Sequence, residues 1–183
     1  MCMKLCKPKR VRIKGGRTIL MRPPVTSDAP RLMKYINAII EEDAPISLTK
    51  KLTPKQERAF VKNVTEGIRN GTIHFLLAEL GGRIVGEAHI NAGSGRHSHV
   101  GEYGICVAKD FRRLGVASAL TKYILGVGKR DKKLKVIMLR AYEFNKIAMP
   151  LYRKFGFRKV ARLKDRVMYK DRLADEFVMD LKR

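Results

Sequence analysis

Between His97 and Val127 an apolar run, a charged turn and an amphipathic helix follow one another without a break, and no other part of the chain limits its fold as much. His97 to Ala108 is long enough for a central strand. Lys109-Asp110-Phe111-Arg112-Arg113-Leu114-Gly115 makes the turn. Val116, Leu120, Tyr123, Ile124 and Val127 then recur at a spacing that gathers them on one face of a helix. The order is strand, turn, helix.

On the amino-terminal side, Thr18 to Met21 reads as a strand, and Asp28 stands where it caps a helix with Leu32, Tyr35, Ile36, Ile39 and Ile40 on its apolar face. Glu41-Glu42-Asp43 ends that helix. A second helix begins with Thr53 as cap, Pro54 in the first position and Gln56 closing a capping box, and it buries Phe60, Val61, Val64 and Ile68. After the break at Asn70-Gly71, Ile73 to Glu79 and Ile84 to Ile90 form a hairpin around Gly81-Gly82. Beyond the central unit, Lys135 to Arg140 is a strand and Asn145 to Phe155 a loop and short helix, with Pro150 near its first turn. Gly156 closes that helix, and strands follow around Phe157 to Ala161 and Glu176 to Leu181. The order β-α-α-β-β-β-α-β-α-β-β predicts an α/β (α+β) architecture, a mixed sheet with helices on both faces. Residues 1–17 read as a basic arm and 18–183 as one domain, with no internal repeat.

The chain has 40 Lys and Arg against 17 Asp and Glu, a net charge of +23. Such an excess suits a polyanion, whether nucleic acid, the ribosome, an anionic membrane surface or the phosphates of a cofactor; a solvated basic surface is the plain alternative. No apolar run approaches the roughly 20 residues of a membrane span. With no secretory signal in view, the expected location is cytoplasmic. The three cysteines, Cys2, Cys6 and Cys106, form no disulfide framework. Neither Cys2 with Cys6 nor His97 with His99 has the spacing of a metal site, so no metal is expected.

In the turn before the third helix, Arg112-Arg113-Leu114-Gly115-Val116-Ala117 places small residues where backbone must come close to a ligand. A glycine loop opening a helix aims N–H groups and the positive end of the helix dipole at one point, which suits a pyrophosphate, and Arg112 and Arg113 can add charge. One glycine between basic residues is also a common surface turn. Its surroundings carry more information. Arg112, Gly115 and Ala117 match the cofactor loop of the GNAT superfamily of N-acetyltransferases, with Ala117 in place of a second glycine. Glu102-Tyr103-Gly104-Ile105-Cys106-Val107 resembles that family's fourth strand, and Asn145, Ala148, Leu151, Tyr152, Gly156 and Phe157 resemble its later helix and turn.

This resemblance implies a mostly antiparallel sheet of about six to seven strands and acetyl-CoA as cosubstrate. Two adjacent strands would part after Val107, with the pantetheine arm pairing with backbone of Ile105 and Val107. The amides of Leu114, Gly115, Val116, Ala117 and Ser118 would hold the pyrophosphate, and Asn145 would orient the cofactor or local backbone. Tyr152 would protonate the leaving thiolate. Glu102, on the strand lining the acceptor cleft, would accept the amine's proton directly or through water; its alternative is a plain ion pair with an arginine. Strand alternation sets Glu102, Gly104 and Cys106 opposite Tyr103, Ile105 and Val107. A buried strand cysteine is inert, so Cys106 is no nucleophile.

The resemblance also implies that the acceptor, small amine or protein amine, is chosen by the helical hairpin after the first strand, around Asp28 to Asn70, and by the loop between the last two strands, around Leu163 to Asp175. A polycationic acceptor meets a repulsive mean field unless Glu41, Glu42 and Asp43 build a local acidic pocket. The rival reading is a non-catalytic module that binds nucleic acid or senses CoA. Against it, the aromatic residues sit at core spacings and offer no stacking platform.

Overall fold

Every residue from His74 to Ala78 is buried, which requires cover on both faces of the strand they belong to, β3 (Ile73–Leu80). Phe75 and Leu77 pack with Leu32, Tyr35, Ile39, Val61 and Val64, whereas Leu76 and Ala78 pack with Leu120 and Ile124. Each such aliphatic side chain contributes about 1.5–3 kcal/mol by leaving water. The strand is therefore central, with α1 (Ala29–Glu41) and α2 (Pro54–Asn70) on one face and α3 (Val116–Arg130) on the other.

The structure, a computed structural model, describes residues 6–182. Its remaining elements are β1 (Lys9–Arg12), β2 (Thr18–Arg22), β4 (Arg83–Ala92), β5 (Val100–Val107), β6 (Val136–Tyr142), α4 (Met149–Lys154), β7 (Arg158–Tyr169) and β8 (Arg172–Lys182). They form one sheet in the order β1-β2-β3-β4-β5-β6-β8-β7, antiparallel except where β5 meets β6. Among the described residues the sheet has 8 strands, more than the six to seven expected. The added strand is β1, from the stretch read as a basic arm: Lys9–Arg12 pairs with Thr18–Met21, and Ile13 is buried. Both edges of the sheet are basic. Lys9, Arg10 and Arg12 are exposed on β1, and Arg158, Lys159, Arg162, Lys164 and Arg166 on β7. Charge on an edge strand prevents pairing with another sheet, which gives part of the charge excess a structural use.

Local chemistry accounts for the element ends. Thr53 and Gln56 close the expected capping box, with Thr53 N–H donating to Gln56 Oε1 at 2.9 Å, and Gly71 ends α2 in the left-handed conformation at φ 80°. Asp28 precedes α1 but caps no helical amide. Its carboxylate accepts from Val25 N–H at 2.8 Å and from Arg22 at 2.7 and 2.8 Å, and Arg31 also donates to it. Arg22 further reaches Glu79 at 2.8 Å, so this buried cluster ties β2, α1 and β3 together. The third run starts at Val100 rather than His97, because Gly95–His97 makes a short helical turn. The last two strands extend far beyond the expected runs. Leu163 to Asp175 is a long, bulged hairpin turning at Lys170-Asp171, both at positive φ, and not a loop.

Candidate active site

Strands β5 and β6 pair only over Val100–Glu102 and Val136–Met138. Beyond Met138, β6 continues bonded to β8 alone, so a gap opens beside β5 from Tyr103 onward, earlier than the expected position after Val107. Hydrogen bonding at the strand ends tells which backbone groups face it. Ala108 N–H donates to Val85 O at 3.0 Å and Val100 O accepts from Gly93 N–H, so the even positions face β4. His99 O accepts from Lys135 N–H, so the odd positions face β6. By this alternation Ile105 and Val107 turn their backbone groups to the gap. The Val107 carbonyl is already engaged by Arg112 Nε at 2.9 Å.

At the end of β5 the chain makes a tight turn into α3. Arg113 and Gly115 have φ 63° and 91°, and Gly115, at the N-cap, has open space where a Cβ would stand. The first turn of α3 is anchored from below: Tyr103 Oη lies 2.8 Å from Thr121 Oγ1, which donates to Ala117 O at 2.7 Å. The N–H groups of Gly115 to Ser118 thus stand at a rigid helix start. Arg112 does not point there. It also donates to the Glu42 carboxylate and pins β5 to the end of α1, contrary to the phosphate role expected of its side chain. Arg113 is exposed at the turn.

On the α1/α2 face of the gap lies a cavity of about 690 Å³. Glu102, Ile105, Asn145 and Tyr152 of the expected site line it; Val107 and Arg112 to Ser118 stand beyond it along the chain. Tyr152, from the short helix α4, is 7% exposed and packs edge-on against Tyr103 and Phe157, with ring centroids 6.4 and 6.2 Å away. Burial pushes its phenol up to about 12, and Cys106 adds to the shift, so the hydroxyl stays protonated at neutral pH. Asn145 contributes backbone bonds, its N–H to Tyr142 O and its carbonyl to Ala148 N–H, which set the path into α4. Glu102 has a side chain 54% exposed and lies 3.8 Å from Arg140. Burial also pushes the Cys106 thiol up to about 12, which keeps it a thiol.

Several groups on the wall were not foreseen. His89 Nδ1 lies 3.0 Å from Glu87 Oε2 on the same strand, the ring stacks on Phe75 at 5.5 Å, and a Cβ on Gly104 would come within 2.4 Å of the imidazole. Burial lowers the imidazole's affinity for a proton, but Glu87, helped by Glu102, outweighs it, and the net shift is upward. Glu57 is 2% exposed and its Oε2 has no hydrogen-bond partner; burial raises its carboxyl to about 7. Tyr35 is likewise buried, with its hydroxyl beside the Cys106 thiol. No motif marks these residues: alternation puts Glu87 and His89 on one face of β4, but only their packing against Tyr35, Phe75 and Gly104 distinguishes them.

The acidic pocket considered for Glu41, Glu42 and Asp43 is built from other residues. Glu41 pairs with Lys51 and Glu42 with Arg112, while the cavity takes Glu57, Glu87, Glu102 and Glu176. The loop after α1 supplies Pro45, Ile46, Ser47 and Leu48, but β7 contributes nothing to this cavity; residues 166–170 line a neighbouring one of about 450 Å³. Among the described residues no group of three or more His, Cys, Asp or Glu is arranged to hold a metal ion; Cys2 lies outside them. No helix among them is long and apolar enough to cross a membrane.

Residues 36–157 match the sequence model described as the Acetyltransferase (GNAT) family. The L-amino acid N-acetyltransferase AaaT of Escherichia coli (strain K12) is 34% identical over 83 residues, 45% of this chain and 51% of that protein. The chain thus aligns with about half the length of this curated relative. The acetyltransferase of GNAT family from Streptococcus pneumoniae superposes with a TM-score of 0.82 at 23% identity, covering 90% of this chain and 99% of that one. For yncA from Salmonella typhimurium, solved with its cofactor acetyl-CoA, the TM-score is 0.78 at 17% identity, over 90% and 93% of the two chains. The matched stretch runs from Ile36 in α1 through the parted strands and the glycine turn to Phe157 after α4, and on that evidence the chain belongs to the GNAT family of acetyltransferases.

Proposed function

We propose that the chain is an N-acetyltransferase that uses acetyl-CoA as cosubstrate and passes the acetyl group to an amine by direct attack. The observation that carries this reading is the gap between β5 and β6, which leads from the glycine turn before α3 to a cavity walled by Tyr152. The pantetheine arm would pair with backbone of Ile105 and the Val107 N–H. The amides of Leu114, Gly115, Val116, Ala117 and Ser118 would take the pyrophosphate, with Arg113 adding charge. From AaaT we carry over an amine nitrogen as acceptor, and nothing finer.

In the transfer, the neutral amine nitrogen attacks the thioester carbonyl carbon and forms the C–N bond. The resulting oxyanion collapses, the C–S bond breaks, and the thiolate takes the Tyr152 phenolic proton, which Tyr152 recovers from solvent. The proton shed by the amine needs a base. His89 is the better enclosed candidate: with Nδ1–H donating to Glu87, Nε2 keeps its lone pair. We therefore assign the proton to His89, with Glu102 raising its basicity from the facing strand.

Thermal stabilisation of the protein by acetyl-CoA, with ATP and a DNA duplex as controls at low and high salt, tests the donor site. A shift specific to acetyl-CoA that survives salt supports it, and thiol release with an amine panel then tests transfer. Equal shifts with every polyanion that vanish in salt would favour the binding-module alternative. The exposed cations of β7 support a second reading, that this edge also docks a polyanion such as nucleic acid or the ribosome. Salt-dependent binding of an RNA or DNA duplex, lost when Arg158, Arg162 and Arg166 are changed to Ser, is the expected result.

A further inference from the structure

The charge of the cavity is opposite to that of the molecule around it. With 40 Lys and Arg against 17 Asp and Glu in the chain, a random patch of wall would be basic. Instead Glu57, Glu87, Glu102 and Glu176 line the cavity, against Arg140 as the one Lys or Arg among its described lining residues. Arg140 is not available to a ligand's carboxylate, because Glu176 holds it at 2.9 Å and Glu102 lies 3.8 Å away. One buried polar atom on the wall, Glu57 Oε2, has no hydrogen-bond partner among the described residues, a costly state that a bound donor group relieves. The outer wall is apolar, with Leu32, Ile36, Leu48, Phe60 and Phe75.

Resting on the acetyl-transfer reading, we propose that the acceptor is a primary amine that enters as a cation, has an apolar body, and carries no free carboxylate beside the amine. Glu87, Glu102 and Glu176 attract the ammonium group and repel an adjacent carboxylate, which finds no unpaired cation among the described residues of the wall, and Glu57 offers the ammonium a hydrogen-bond acceptor. Arylalkylamines and the α-amine of a peptide share this chemistry. Free amino acids lack it.

The test compares phenethylamine, L-phenylalaninamide, L-phenylalanyl-L-alaninamide and L-phenylalanine with the full chain and acetyl-CoA, following thiol release. The first three share the aromatic body of the fourth without its carboxylate beside the amine. The expected kcat/KM is at least about tenfold higher for the best of them than for L-phenylalanine; phenethylamine ahead of the dipeptide amide indicates a small-molecule source, and the reverse a peptide one. L-phenylalanine as good as or better than all three overturns the proposal. Glu176→Gln, which releases Arg140, is expected to narrow the ratio by about threefold or more, and an unchanged ratio counts against the assignment. No turnover with any probe falls on the transfer reading, and the acceptor class is then read from thermal shifts with the same four compounds. Stabilisation by the carboxylate-free amines over L-phenylalanine supports the proposal, and equal or reversed stabilisation overturns it.

Discussion

His89 Nδ1 lies 3.0 Å from a carboxylate oxygen of Glu87, and its ring fills the space that a side chain on Gly104 would need. A base so held must be neutral to act, so kcat/KM is expected to rise as pH passes upward through the imidazole pKa, which stands above its ordinary value. The carboxylates around the cavity are Glu87 on the same strand, Glu102 on β5, Glu57 on α2 and Glu176 on β8. Glu87→Gln removes the nearest of them and is expected to move this acid limb to lower pH; His89→Gln is expected to abolish it and lower kcat/KM by about 10²-fold. An acid limb that stays in place in both variants would remove His89 from the mechanism.

For Tyr152→Phe, the loss of the phenolic proton is expected to lower kcat by about 10²-fold. The ring keeps its packing on Tyr103 and Phe157, so acetyl-CoA affinity is expected to change by less than about twofold. Calorimetric titration beside steady-state kinetics separates the two. An equal loss of affinity and turnover would make the tyrosine structural.

At Gly115 the backbone has φ 91°, a region costly for any residue with a Cβ, although the space itself is open. Gly115→Ala therefore acts through the backbone, straining the turn by roughly 1–2 kcal/mol and turning the first N–H groups of α3 away from a common point. The expected result is about tenfold weaker acetyl-CoA binding with little change in the circular dichroism of the free protein.

The buried Asp28 cluster is expected to govern acid stability. Burial alone would raise the Asp28 carboxyl, but Arg22, Val25 N–H and Arg31 hold it down to about 2 against an ordinary 3.8. A lowered folded pKa means the stabilisation is complete above the unfolded value and is lost as pH falls through about 2. Asp28→Asn leaves Arg22 and Arg31 without their anchor and is expected to cost about 2–4 kcal/mol at pH 7, or roughly 5–15 °C in Tm. Its melting temperature should also fall less steeply than the wild type's in acid.

Glu57 titrates in the opposite sense. Its folded pKa, about 7, lies above the ordinary 4.5 because burial penalises the charge. Its contribution to stability is complete below 4.5 and declines as pH rises through about 7. Glu57→Gln is expected to be more stable than wild type by about 1–2 kcal/mol at pH 8 and nearly unchanged at pH 5, by urea unfolding. If the carboxylate meets the acceptor's ammonium, the same variant raises the acceptor's KM.

Much of this fold was legible from local rules. Thr53, Pro54 and Gln56 mark a helix start by hydrogen bonds that span three residues, and Gly81-Gly82 marks a hairpin in the same way. The limits appear where a partner is distant in sequence. Lys9–Arg12 reads as an arm because its alternation is weak, and only pairing with Thr18–Met21 makes it a strand. Asp28 has the identity of a helix cap, yet Arg22 and Arg31 compete for its oxygens and win.

The proposed donor end is legible in the linear chain, since Leu114 to Ser118 are contiguous and backbone N–H groups at a glycine turn need no distant partner to point together. The acceptor end was decided only by tertiary structure. Glu57, Glu87, Glu102 and Glu176 come from α2, β4, β5 and β8, and each alone is one glutamate in a chain with a charge of +23. Their common effect arises because Coulomb interactions depend on distance in space, and folding brings these four to one cavity while sending most of the cations outward.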